Sequence, residues 1–474
     1  MNKKKLSSII VILFLAGCGG SDGTGSMGSV SARTSVAYAD SAATPASAID
    51  SAQFLMSTYQ DGLSEIQLSR LALQKAANDY VKRFAQRMIN DHTRLNNDLM
   101  RLARSKNITL PTDISAEQKT QADRLAPLSG DEFDRAYMAL NVEAHEKDVV
   151  AARQQARQGN DPDVKALADA SLPILEIHFA AAEGINTLLD PAAFLIAAYQ
   201  DGLAEIQISR LALQKATDDD VKSFAQRMID NHTQLNNAIA AVAKQKGVTL
   251  PDAPTPEQQD TAAQLAKFSG TDFDKRYMDE NVVDHVKDVL GARLQSEEGR
   301  DFGVRNLARV ALPVLSEHLA RALDIDKHIE PSFLYSAYQD GKAEIRLAYL
   351  ALQQGSNGQV KSFAQRMITD HAALNTRIAQ LAQQKNLALP DEMSPEQLLA
   401  FVRLMNQSGA AFDREYMDLN VQNHKKDVEQ ATQQSQNASD ADIKTLAQNG
   451  LPVLNEHLTL ATQLQQQLNA SAQH

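Results

Sequence analysis

The chain has 474 residues, of which 43% are hydrophobic, 22% charged and only 5% aromatic, with no Trp. That is too long for one hydrophobic core, and a composition rich in Ala, Leu and Gln but poor in aromatic and β-branched residues favours helices over sheets. A net charge of −12 argues against a nucleic-acid partner, which needs clustered positive charge, and a single cysteine excludes an internal disulfide and any multi-cysteine metal site.

At the amino terminus Lys3, Lys4 and Lys5 precede an apolar run from Ile9 to Ala16, which is too short to remain as a membrane span and has the layout of an export signal. Setting aside residues 1–17, which hold three lysines and no acid, takes the net charge from −12 to −15. The run ends in Leu15-Ala16-Gly17-Cys18, which is similar to the lipobox of bacterial lipoproteins. That resemblance implies a signal peptide over 1–17, cleavage before Cys18 and acylation of Cys18 as the membrane anchor. Gly19, in place of an Asp after the cysteine, implies the outer membrane, with the body of the protein facing the periplasm. Residues 18–48, dominated by Gly, Ser, Ala and Thr, predict a flexible tether.

Beyond the tether the chain repeats itself. Tyr59-Gln60-Asp61-Gly62 recurs from Tyr199 and from Tyr338, Phe84-Ala85-Gln86-Arg87-Met88-Ile89 recurs from Phe224 and from Phe363, and Leu172-Pro173 recurs at Leu312 and Leu451. The period of about 140 residues suits a whole domain rather than a solenoid unit, giving copies over 49–189, 190–329 and 330–468 and a tail over 469–474. In the first copy apolar positions at helical spacing predict helices over about 54–77, 79–106, 131–158 and 162–189, plus a short helix over 116–125 in the long middle connection. Asn78 and Asp161-Pro162 have the chemistry of helix starts, Ser129 and Glu132 have capping-box spacing, and Pro173 is expected to interrupt the fourth helix. The fold class is therefore all-α, with three tandem up-down four-helix bundles that begin and end at the same end, join there, and splay or pack side by side.

Nine of eleven histidines fall in three repeat columns: His92, His232 and His371; His145, His285 and His424; His178, His318 and His457. Each lies near the middle of its helix on the apolar stripe, so all three imidazoles of a copy should face inward at one level. Carboxylates accompany them. Asp148, Asp288 and Asp427 follow the second-column histidine by three residues, and Glu65, Glu205 and Glu344 recur at the middle of the first helix. Two physical accounts compete. Neutral imidazoles and ionised carboxylates suit one divalent transition metal per bundle (Zn, Fe, Mn, Ni or Cu), and the same groups suit a hydrogen-bonded polar layer that only sets helix register. Tyr137 and Asp134 read as packing and helix-dipole residues. No phosphate loop or nucleophile arrangement points to an enzyme, and no residue pattern names a protein partner.

Asp91-His92, Phe133-Asp134 with Tyr137, His145, and Leu172-Pro173 with His178 together resemble the bacterial domain-of-unknown-function family 4142. The resemblance covers nearly the whole mature chain three times over and implies exported or envelope proteins with a ferritin-like bundle. The di-iron form of that fold needs Glu-x-x-His on two helices, whereas Ile89, Val142 and Leu175 stand three residues before His92, His145 and His178. One mononuclear site per copy is the expectation instead. Asn231 replaces the acid found at Asp91 and Asp370, which speaks against an essential acid at that position.

Overall fold

The computed structural model describes residues 50–471; the signal over 1–17, Cys18 with the tether over 18–48, and the end of the tail lie outside them. The described residues form fifteen helices and no strand. Copy one holds α1 (Ser51–Lys75), α2 (Asp79–Ser105), α3 (Ala116–Leu125), α4 (Gly130–Gln158) and α5 (Pro162–Leu189). Copy two holds α6 (Pro191–Lys215), α7 (Asp219–Lys246), α8 (Pro256–Leu265), α9 (Gly270–Glu298) and α10 (Phe302–Asp326). Copy three holds α11 (Phe333–Gln354), α12 (Gly358–Gln384), α13 (Pro395–Met405), α14 (Gly409–Asn437) and α15 (Ala441–Ser471).

Local chemistry sets the helix boundaries. The Asn78 side chain accepts from the Tyr80 amide to start α2, and Asp161 accepts from the Asp163 and Val164 amides to start α5, with Pro162 in the first turn. The expected capping box at Ser129 does not form. Gly130 follows it at φ 60°, a left-handed conformation, and turns the chain into α4. The capping box belongs to α3, where Ser115 and Gln118 satisfy each other's backbone amides. Nor does Pro173 interrupt α5, which continues from Pro162 to Leu189; α10 and α15 likewise run through Pro313 and Pro452.

Connectivity corrects one expectation. At the lower end of bundle 1 the Ser51 hydroxyl accepts from Gln155 Nε2 (2.7 Å) and from the Asp161 amide (3.2 Å), and Lys106 pairs with Asp161 (2.7 Å). At the upper end Asp134 accepts from the Ala77 amide (3.2 Å) and the Asn78 amide (2.8 Å). The start of α4 thus lies beside the end of α1, so α1 runs up, α2 down, α4 down and α5 up. The link carrying α3 climbs back along the whole bundle, and each bundle begins and ends at opposite ends. The four long helices of a bundle are thus joined by two short turns and one long crossover, not by the three short turns of a simple up-down bundle.

The bundles pack against one another. Residues of bundle 1 (Leu95, Leu167, Ile174) and bundle 3 (Leu347, Leu350, Phe401) share one apolar core. All three bundles meet at an ion-paired junction. Arg153 contacts Glu257 (2.9 Å), Arg157 contacts Asp260 and Asp391 (2.9 Å each), Arg276 contacts Glu392 (2.9 Å), and Arg346 contacts Asp169 (2.9 Å). Within each bundle the apolar core is split at mid-height. In bundle 1, Val81, Phe84, Met88 and Tyr137 lie above the division and Leu99 and Val149 below it.

Candidate metal centre

The division is a layer of buried polar side chains, one from each long helix. In bundle 1 these are Glu65 on α1, His92 on α2, His145 on α4 and His178 on α5, all buried. The ring centroids of His92, His145 and His178 are 5.7, 5.2 and 5.4 Å apart pairwise. Bundle 2 assembles Glu205, His232, His285 and His318, and bundle 3 assembles Glu344, His371, His424 and His457, all likewise buried. In every bundle three histidines each offer a ring nitrogen within 4.8 Å of the other two. The close approach of α1 and α2 needs a small residue. A Cβ on Gly62 would lie 2.3 Å from Asn96 Oδ1, and Gly202 and Gly341 meet Asn236 and Asn375 in the same way.

One oxygen of each glutamate lies 2.8–3.0 Å from a ring nitrogen of the α2-type histidine, and the other lies 3.4 Å from the α4-type histidine. Despite these distances, neither oxygen of Glu65, Glu205 or Glu344 receives a directed hydrogen bond. These contacts run through His92 Nδ1 and His145 Nε2 in bundle 1 but through the Nδ1 of His285 and His424 in bundles 2 and 3, so the grouping of donors rests on the three ring nitrogens of each layer, which come within 4.8 Å of one another.

Hydrogen bonds from outside the layer orient the rings. The Asn141 carbonyl accepts from His145 Nδ1 at 2.9 Å, and the same bond links Asn281 to His285 and Asn420 to His424. A carbonyl only accepts, so this bond places the proton on Nδ1 and the lone pair on Nε2. Asp91 accepts from His178 Nε2 and Asp370 from His457 Nε2, both at 2.9 Å. A carboxylate bound to the far nitrogen of an imidazole is the usual support of a metal-ligating histidine.

Asp148 and Asp288 lie beside the layer, each grouped with its glutamate and histidine, half-buried; Asp427 neighbours Glu344 in the same manner. Burial and the Glu65 charge raise the Asp148 carboxyl well above its ordinary value. Burial would also raise Glu65, but the charges of His92 and His145 outweigh it and bring Glu65 down to about 2; Glu344 behaves alike, at about 2. Glu205 is instead raised, by burial and by Asp284, Asp201 and Glu280. The positions of Asp284 and Glu280 are occupied by Ala144 and Leu140 in bundle 1, so bundle 2 carries extra negative charge around its layer.

The family model for the domain of unknown function DUF4142 matches residues 36–185, 186–325 and 327–464. This chain belongs to the DUF4142 family. No curated protein and no solved structure matches it. The three DUF4142 matches coincide with the three polar layers, so the layer is a property of the repeated unit. Two residues of the DUF4142 layer escape a reading of the sequence. Asp61 is pushed up to about 6 by burial and by the neighbouring Glu65, and its oxygen accepts from Gln118 Nε2 at 2.6 Å; Asp201 and Asp340 repeat this contact. Their signal was the recurring Tyr-Gln-Asp-Gly, one helical turn before the glutamate. Asp91, discounted because bundle 2 has Asn231, is the partner of His178. Asp134 is buried and structural as expected, but it caps the α1–α2 turn rather than serving the dipole of its own helix. Tyr137 shares a 2.8 Å hydrogen bond with Ser69; in bundle 3 the serine is Ala348 and the Tyr416 hydroxyl has no partner.

Proposed function

We propose that each bundle binds one divalent transition metal ion, held in bundle 1 by His92, His145, His178 and Glu65, with Asp148 beside them as a carboxyl that a bound cation would draw toward its ionised form. The corresponding donors are His232, His285, His318, Glu205 and Asp288 in bundle 2, and His371, His424, His457, Glu344 and Asp427 in bundle 3. The observation that carries this is the set of orphaned atoms. In bundles 1 and 3, both glutamate oxygens and one nitrogen of each histidine are buried without any hydrogen-bond partner. The glutamate oxygens still face imidazoles at 2.8–3.4 Å, but the inward nitrogens of His145 and His178, and of His424 and His457, have no partner, at a cost of about 1–3 kcal/mol each that a cation at the centre of the layer removes. Imidazole and carboxylate donors suit Zn, Fe, Mn, Ni or Cu. The role is sequestration or stress protection in the cell envelope, with acylated Cys18 anchoring the chain in the outer membrane on its periplasmic face. Lys3 to Cys18 supports that location.

The test is elemental analysis of the purified protein after loading with each metal and dialysis. Bound metal that falls by about one equivalent when His92, His145 and His178 are replaced together supports the proposal. A metal-free protein after every loading, with an unchanged melting temperature, leaves the layer as a register-setting device in a non-catalytic structural or interaction module. That second account draws support from bundle 2, where His285 Nε2 lies 3.2 Å from His318 Nδ1 and the two rings satisfy each other.

A further inference from the structure

The three layers share one plan, but the residue that supports the third histidine is an acid in bundles 1 and 3, Asp91 and Asp370, and an amide in bundle 2, Asn231. In bundle 1 the chain of hydrogen bonds is broken in the middle. The Asn141 carbonyl fixes a proton on His145 Nδ1, Asp91 fixes a proton on His178 Nε2, and the nitrogens left over, His145 Nε2 and His178 Nδ1, both lack partners. Bundle 3 repeats this with Asn420, Asp370, His424 Nε2 and His457 Nδ1. A carboxylate can only accept, so Asp91 and Asp370 hold the opposite ring nitrogen as an inward lone pair.

In bundle 2 the acid is Asn231, and its Nδ2 lies 2.8 Å from His318 Nε2. An amide donor there makes Nε2 the acceptor and moves the ring proton to Nδ1. That proton meets His285 Nε2 at 3.2 Å, whose lone pair is fixed by the Asn281 carbonyl on the other side of the ring. The chain of hydrogen bonds therefore closes from Asn231 to Asn281, and neither His285 nor His318 has an unpartnered nitrogen, whereas the equivalent rings of bundles 1 and 3 each have one. The asparagine also removes the negative charge that would strengthen the imidazole as a ligand.

The geometry points to Asn231 as a positioning residue that makes the middle bundle the weak site, so that the chain holds two metal ions tightly and a third loosely. This rests on the metal-binding function proposed above. To bind an ion, bundle 2 must break the His285–His318 hydrogen bond and shift the His318 proton to Nε2, steps the outer bundles do not require. Loss of a supporting carboxylate typically weakens a metal site by about 10- to 100-fold.

Titration of the purified chain with Zn²⁺ against a competing chelator should give two tight equivalents and one at least about tenfold weaker. Asn231→Asp should yield three tight equivalents, and Asp91→Asn and Asp370→Asn should each convert one tight equivalent into a weak one. Three equal equivalents, unchanged in N231D, overturn this inference and leave the metal-binding function standing. Should no variant bind Zn²⁺ or the other metals, the function itself falls, and the ligand-free protein still decides the arrangement of protons. With ¹⁵N-labelled histidine, His318 should be the Nδ1–H form while His178 and His457 are Nε2–H. One common form for all three removes the role given to Asn231.

Discussion

Replacing Gly62 by Ala should destabilise bundle 1 even though alanine is the better helix former. Mid-helix Gly→Ala gains up to about 1 kcal/mol of helix propensity. Against this, the new Cβ would sit 2.3 Å from Asn96 Oδ1 and 2.9 Å from its Cγ and Nδ2, where ordinary contact begins near 3.4 Å. Asn96 is buried and its amide donates to the Tyr59 carbonyl at 3.4 Å, so it cannot swing into solvent without loss. Overpacking of this kind costs about 1–3 kcal/mol, and a displaced buried amide adds about 1 kcal/mol. The net destabilisation is therefore about 1–3 kcal/mol, read by urea denaturation of the metal-free chain. A double-mutant cycle isolates the cause. In an Asn96→Ala background the clashing atoms are gone, so Gly62→Ala should become neutral or slightly stabilising. An equal loss in both backgrounds, or a gain in the wild-type background, would refute the reasoning.

Acid should weaken the metal-free protein through its buried imidazoles. His178 is held at about 4, because burial outweighs the support of Asp91, against an ordinary 6.5. A histidine whose value is lower in the folded chain favours unfolding as the pH falls from 6.5 to about 4, a loss approaching 3 kcal/mol for this group. The Cε1–H resonance of His178 should accordingly show no titration near 6.5, and a midpoint there would contradict the burial account. Asp134→Ala should cost about 2–4 kcal/mol, since the Ala77 and Asn78 amides lose their acceptor; thermal melting should show a smaller loss for Asp134→Asn, which keeps one accepting oxygen.

Helix positions were legible because apolar residues recur at helical spacing: the expected 79–106 and 162–189 are observed as 79–105 and 162–189. The histidine layer was legible because triplication repeats it, and Glu65 because it recurs at the middle of the first helix as Glu205 and Glu344. The course of the α3 link was not, since periodicity reports which face of a helix is buried and says nothing of whether a connection climbs back. Asp61 was visible only as part of a motif, because its meaning depends on a Gln118 contact across the bundle. The junction between bundles was hidden for a different reason. Arg157 corresponds to Glu297 and Gln436, and Asp169 to Arg309 and Gln448, so comparing the copies discards the residues that hold them together.

The apolar surface shared by bundles 1 and 3 also has a consequence in time. The pairing of Gln353 with Asp98 joins residues 255 positions apart. Loop closure over that span is thermodynamically modest, since each doubling of length adds only about 0.6 kcal/mol. The delay is not modest. At roughly 5–20 residues per second, Gln353 emerges from synthesis some tens of seconds after Asp98. Throughout that interval the face of bundle 1 carrying Leu95, Leu167 and Ile174 has no cover, although the rest of the bundle can already be folded. The newborn chain is then most exposed to aggregation, and a truncation before bundle 3 would make that transient state permanent.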